Sequence, residues 1–410
     1  YEAHVCGGSY NVAGMAYAGI PAIMFGRNEK VAWGITNNIC SLRDLYQERT
    51  SPQHPDCFEF AGQWEPQREL TEVIKVHSGD PITKTVRFSR NGPVVDEILP
   101  AGARETGPVT LKWLGSYQGG WLTALLGMGK AKNVAEFREA VRPWHVPTFS
   151  LVVADDQGSI AFQSAGRIPL RNHLERGYRQ GWNPADQWQG LIPFEEMPHL
   201  INPDRGWIAT ANNRVAPDDF PHLLFGCWSS GYRALRIRQM IEAQAKHSAE
   251  DMGLMHQDAK SLRAEQCVPS LVQALKSSDA PRILEAANLL EQWDYHIAAD
   301  SVPATLFNVF YANWCKVVAA ERFDRQCVEL MTQGVQSCAG RLLASDPAGW
   351  FLQGNREARI VETFATTLDE LASKLGPEMQ NWHWGHLHRM PSKHVLSSRG
   401  DLGELLNHGG

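Results

Sequence analysis

Apolar and polar positions follow two different periods along the chain, and the change from one to the other divides it. Up to about residue 165 the apolar residues come in short runs bounded by turn signals, which is the pattern of strands. Residues 21 to 25 lead into a polar turn at 27 to 30, and the run from Val31 to Thr36 then stops on Asn37 and Asn38. Residues 73 to 77 and 82 to 88 flank Ser78-Gly79-Asp80-Pro81, and residues 149 to 154 and 159 to 162 flank Asp155-Asp156-Gln157-Gly158. Each pair predicts a hairpin. Arg90-Asn91-Gly92-Pro93 marks a further turn, and residues 122 to 141 have helical spacing without proline, predicting at least one helix among the strands.

Residues 165 to 232 are rich in Gly, Pro, Asn and Trp, which reads as long ordered loops, where functional groups concentrate. Beyond them Ile283, Ala287, Leu290 and Trp293 fall on one helix face, as do Val268, Leu271, Val272 and Leu275, with Pro269 tolerable if it lies in a first turn. The chain therefore reads as a β-rich part (1–231), a mainly helical region (232–375) and a return to the core (376–410). No internal repeat of solenoid length recurs.

With 410 residues, 43% of them hydrophobic, the chain can bury a large core. Its 39 basic and 45 acidic residues give a net charge of -6, and no basic stripe suits a nucleic acid. No apolar run is long enough to span a membrane. The chain begins at Tyr1 and is expected to be a processed chain or a fragment. Its eight cysteines show no CxxC pair, which argues against a structural zinc site; one or two disulfides stay open, with Cys327 and Cys338 the nearest pair.

Phosphate-loop, dinucleotide-binding, HExxH and GxSxG motifs are absent. The histidines of WHWGHLHRMPSKH (His383, His386, His388 and His394) form the densest titratable cluster, and on a strand His386 and His388 would share a face. With no cysteine or carboxylate among them, they read better as partly buried histidines bonded to backbone than as metal ligands. In WIATANNRV a β-prone run, residues 207 to 210, again ends near paired asparagines, Asn212 and Asn213. An asparagine amide can donate to a developing oxyanion. On residue chemistry alone these asparagines read as turn formers.

Taken in order, YEAHV, VAGMAYAGIPAIMFGRNEKVAWGITNN, RDLYQE, NGPVV, FSLVVADDQGSIAF, GLIPFEEM, GWIATANNRV, DDFP, SGYR and WHWGHLHRM resemble the β chain of the penicillin acylase family of N-terminal nucleophile hydrolases. The resemblance implies an α+β fold, a four-layer αββα sandwich with a largely helical insertion. It implies an amide hydrolase whose amino-terminal serine attacks the amide while its own α-amino group accepts the proton, forming an acyl-enzyme. That serine falls before Tyr1, and Ser9 does not match it. Acyl-homoserine-lactone or cephalosporin acylases of the same fold, or an inactive ligand-binding homologue, are the alternatives.

Carried over by position, Asn37 supplies a backbone N–H to the oxyanion hole, Asn212 its side-chain amide, and Arg233 holds the arrangement. Phe25, Ile35 and Phe149 line the acyl pocket. No cofactor is required for the reaction. The family's calcium site carries over in part, because Asp44 aligns with one ligand while Ser41 and Arg43 stand at two others. The resemblance also implies an α chain cut from the same precursor as partner, a small-molecule amide substrate, and a periplasmic or secreted location.

Overall fold

The structure, a computed structural model, describes residues 1–100, 103–104, 106–117, 119–351 and 355–407. It divides into two compact units, Tyr1–Ala234 and Leu235–Gly410. The division lies close to the change of period at 231 to 232.

The first unit opens with β1 (Glu2–Gly7), β2 (Tyr10–Met15), β3 (Phe25–Arg27) and β4 (Val31–Asn37). Next come β5 (Arg43–Gln47), β6 (Cys57–Phe60), β7 (Gln63–Pro66), β8 (Arg68–Ile74), β9 (Ile82–Ser89), β10 (Gly92–Pro93) and β11 (Val109–Trp113). Helices α1 (Trp121–Met128) and α2 (Val134–Val141) lead to β12 (Phe149–Asp155) and β13 (Ile160–Ala165). Two short strands, β14 (Arg179–Gln180) and β15 (His199–Ile201), interrupt the loops that follow.

Seven strands form one sheet in the order β1-β2-β3-β4-β12-β13-β15, and the other strands form small sheets of three, three and two. This is the expected α+β class, with one large antiparallel sheet and a helix layer in place. The alternation of β4 decides which face the helices cover. Val31 and Trp33 are buried, whereas Ala32 between them is exposed. Ala124, Leu125 and Met128 of α1 and Val134, Phe137 and Val141 of α2 pack into the same cluster, with the rings of Trp33 and Phe137 5.8 Å apart. Each of the larger of these side chains, fully buried, contributes about 1.5–3 kcal/mol.

The expected helix over 122 to 141 is two helices. The chain breaks after Gly129 and restarts at Asn133, whose side chain accepts from the Glu136 N–H as an N-cap. Both expected hairpins form, β8 with β9 and β12 with β13, although the first strand ends at Ile74 and residues 75 to 77 join the turn. The β-prone run at 207 to 210 forms no strand. Trp207 and Ile208 instead lie over the sheet face opposite α1 and α2, lining a cavity of about 400 Å³ with Gly26, Ala32, Gly34 and Val152.

The second unit is helical: α3 (Tyr232–Glu242, which begins before the boundary), α4 (Ala249–His256), α5 (Leu262–Leu275), α6 (Pro281–Glu291), α7 (Val302–Ala320), α8 (Val328–Gly334), α9 (Gln336–Ala344) and α10 (Arg356–Leu375), then short α11 (Trp384–Leu387) and α12 (Leu402–Leu406). Phe307, Phe310 and Trp314 of α7 are buried among Leu271, Leu290 and Phe364. Pro269 lies inside α5 and not in a first turn, because the helix starts at Leu262 behind a Ser261 cap. The missing N–H costs roughly 3 kcal/mol, which burial of Val268, Leu271, Val272 and Leu275 offsets. Residues 376 to 407 cluster with this helical unit and not with the β-rich one, and Met379 and Trp382 are buried in its core. No described helix is long and apolar enough to cross a membrane.

Candidate active site

Strand β4 ends at the site, and Asn38 is what ends it. Its side chain is fully buried, and its Nδ2 donates to Ser164 Oγ at 2.7 Å while its Oδ1 accepts from Cys40 N at 3.2 Å. Its own N–H donates to the Thr148 carbonyl at 3.4 Å, and its carbonyl accepts from Trp228 Nε1 at 3.0 Å. All four polar groups are thus committed, and the chain leaves the sheet at once through Ile39, whose φ of 67° is unfavourable for a β-branched residue.

That bonding pattern sets the direction of Asn37. In an antiparallel ladder alternate residues turn their amides to the same neighbour. With the Asn38 N–H bonded toward Thr148, the N–H and carbonyl of Asn37 point to the side of β4 away from β12. The exposed end of the strand therefore presents a main-chain amide there.

Asn212 meets this end across 175 residues of sequence. Its Nδ2 donates to the Asn37 carbonyl and to Thr36 Oγ1, both at 2.8 Å. Its Oδ1 accepts from Arg233 Nη2 at 3.0 Å, and the same nitrogen donates to the Ala211 carbonyl at 2.8 Å and to Ser229 Oγ at 3.2 Å. A guanidinium can only donate and a carbonyl can only accept, so the amide has one orientation. Asn212 holds it from a left-handed backbone, φ 59°, a conformation that asparagine tolerates. The neighbouring asparagine serves the loop, Asn213 Oδ1 accepting from Ala211 N at 3.0 Å.

The structure thus brings Asn37, Asn212 and Arg233 together. It adds Thr36, Asn38 and Ser229, which sequence reasoning did not select for a role at the site. Thr36 had a detectable signal, since alternation along β4 places it on the face opposite Val31 and Trp33. Phe149 lies directly across from Asn37, and Ile35 across from Leu151. Phe25, Ile35 and Phe149 are all half-buried against the cluster under α1 and α2. Phe149 meets Trp144 edge to face, with centroids 5.6 Å apart. Ser9 sits exposed in the β1–β2 turn. Burial pushes the Cys40 thiol up to about 12, so it offers no thiolate near neutral pH.

Asp44, on β5, lies past the loop that leaves Asn38. Its Oδ2 accepts from Arg171 Nε at 2.7 Å and from Trp188 Nε1 at 2.5 Å, and Arg179 Nε stands 3.4 Å away. Arg171 Nη2 donates to the Ser41 carbonyl at 3.1 Å and lies 3.5 Å from the Arg43 carbonyl. A calcium ion wants six to eight oxygens and no cation at its rim. A donor set with two guanidiniums on its carboxylate does not fit one.

Among the described residues no three His, Cys, Asp or Glu side chains gather as a metal site. His386 lies on the helical turn α11 with its ring 5.3 Å from that of His383, and His388 stacks on Trp384 at 5.0 Å, so the two do not share a strand face. All eight cysteines are free.

The penicillin amidase family profile matches residues 1–410. An acyl-homoserine lactone acylase, QuiP, of Pseudomonas aeruginosa is 25% identical over 92% of this chain and 49% of its own length. Penicillin acylase 2 proenzyme of a Pseudomonas species is 28% identical over 97% of this chain and 51% of its own length. The chain thus spans about half the length of these curated relatives. Among solved structures, a thermostable penicillin G acylase from Alcaligenes faecalis superimposes with a TM-score of 0.75 at 20% identity, covering 93% of this chain and 74% of that one. Family profile, fold and the ordered motifs agree: the chain belongs to the penicillin amidase family.

Proposed function

We propose that the protein carrying this chain hydrolyses linear amides with an apolar or aromatic acyl group, through an acyl-enzyme on an amino-terminal serine supplied from outside these residues. The observation that carries the reading is the Asn212 amide, fixed in one orientation beside the outward main-chain amide of Asn37. The serine hydroxyl attacks the carbonyl carbon while its α-amino group, whose reference pKa is near neutral, takes the proton. The carbonyl oxygen becomes an anion and accepts from the Asn37 N–H and from Asn212 Nδ2. The C–N bond breaks, the amine leaves with the proton, and water then releases the acid.

Both hydrogens of Asn212 Nδ2 are engaged before substrate arrives, one by the neutral Thr36 hydroxyl. A neutral hydrogen bond is worth about 0.5–1.5 kcal/mol net and one to a charged group about 1.5–3 kcal/mol. Exchange of Thr36 for the oxygen therefore becomes favourable as charge develops, which is stabilisation specific to the transition state. Arg233 keeps the amide in place and polarises it through Oδ1. Phe25, Ile35 and Phe149 receive the acyl group.

In this reading the chain works with an α chain from the same precursor, in the periplasm or secreted, and calcium takes no part. A relative named a proenzyme supports the precursor. Relatives named for acyl-homoserine lactones and for penicillin match with similar identity, so the acyl group is left to assay. The complete protein, tested on amides of aromatic acids, acyl-homoserine lactones of graded length and cephalosporin-type amides, is expected to release amine in a stoichiometric burst from at least one class. Binding of these amides without release from any would identify an inactive ligand-binding homologue instead.

A further inference from the structure

The loop between β4 and β5 is organised around an internal cation. Arg171 has a fully buried side chain, and its three nitrogens reach four oxygens. Nε takes the Asp44 carboxylate at 2.7 Å, and Nη2 takes the Ser41 carbonyl at 3.1 Å with that of Arg43 at 3.5 Å. Nη1 donates to the Pro169 carbonyl at 3.4 Å. One carboxylate and three main-chain carbonyls, converging from two segments, form the kind of oxygen set that binds a hard divalent ion. The loop closes the arrangement itself, Ser41 Oγ donating to the Arg43 carbonyl at 2.7 Å. Trp188 and Phe225 shield it, with the Arg171 Cζ 5.8 and 5.5 Å from their rings.

We infer that the Arg171 guanidinium stands in for a bound metal ion, holding the loop that fixes the end of β4 with a covalently tethered charge. The connection to the site is short. Ser41 N donates to the Phe225 carbonyl at 2.8 Å, and Thr148 Oγ1 donates to the Cys40 carbonyl at 3.0 Å. Residues 38 to 44 are therefore clamped from both sides while the guanidinium neutralises the carboxylate inside. Arg179, 2% exposed, adds a second positive charge at Asp44 and further opposes a metal ion. The fold then needs no calcium at this place, and deleting the nearer guanidinium, that of Arg171, frees its four oxygens for one, with Arg179 left as the more distant cation. The inference concerns stability and stands apart from the hydrolase reading.

The test is thermal unfolding of the complete protein, with and without chelator and calcium, beside elemental analysis. The unaltered protein should hold no stoichiometric calcium, and EDTA should leave its midpoint unchanged. Arg171→Ala leaves the Asp44 carboxylate only Arg179, at 3.4 Å, as a cationic partner and should lower the midpoint on the order of 10 °C. Millimolar calcium should restore part of that loss, magnesium much less, and Asp44→Asn in the same background should abolish the response. Arg171→Lys keeps a charge and should show a smaller loss with no calcium response, which covers the case that the alanine variant fails to fold. Stoichiometric calcium in the unaltered protein with a fall on chelation would overturn the inference. So would a folded Arg171→Ala protein indifferent to calcium, or an Arg171→Lys protein that calcium stabilises.

Discussion

In the first unit the groups sealed from solvent include Asn38, Glu48, Arg171, Arg179 and Asp186, whereas the buried polar side chains described in the second are three threonines, Thr305, Thr363 and Thr367. Each threonine hydroxyl bonds a carbonyl one turn back on its own helix, at 3.3, 2.6 and 2.8 Å. The polar groups of the first unit instead reach far along the chain, Asn38 to Ser164 and Arg171 to Asp44. A helix satisfies its backbone internally and needs its neighbours only for packing. A site made of strand ends and loops needs its geometry imposed by groups that cannot be left unpaired. The second unit is thus held by shape and apolar area, whereas the first adds to its own apolar cluster directional bonds that also aim the candidate catalytic groups.

Trp314, fully buried in α7 and donating to the Ala339 carbonyl at 2.9 Å, should cost about 3–5 kcal/mol when changed to alanine. Denaturant unfolding checks the loss, and the folded fraction should keep its turnover per molecule. Asn38→Ala removes less volume but strands Cys40 N, Ser164 Oγ and the register of Asn37. It should cost about 1–3 kcal/mol and lower turnover as well. A stability loss with unchanged turnover would mean that the polar interior of the first unit serves folding alone. Asn37→Ala should do least, altering kcat by about twofold or less, since the role proposed for Asn37 belongs to its main chain.

Much of this organisation is legible in the residue pattern, and what escapes it has identifiable causes. The apolar run from Val31 to Thr36 predicts a strand that stops at the paired asparagines, and the ordered motifs single out Asn37, Asn212 and Arg233. The pattern would confine Pro269 to a first turn, but tertiary burial along α5 outweighs the local penalty. It reads residues 207 to 210 as a strand although they lie over a sheet face without pairing. Neither the Arg171–Asp44 pair nor the Asn212–Thr36 bond is visible in sequence, since they join residues 127 and 176 positions apart through a topology that no local period encodes. Asn38, adjacent to the residue singled out for the reaction, is the structural member of the pair.

The central claim, that Asn212 and the end of β4 form the oxyanion hole, is tested most directly by the turnover of Asn212→Ala in the complete protein, with its unfolding midpoint measured beside it. Its kcat should be about 10²–10³ lower with little change in KM, at a midpoint close to that of the unaltered protein. Near-normal kcat in a folded Asn212→Ala protein would contradict the claim.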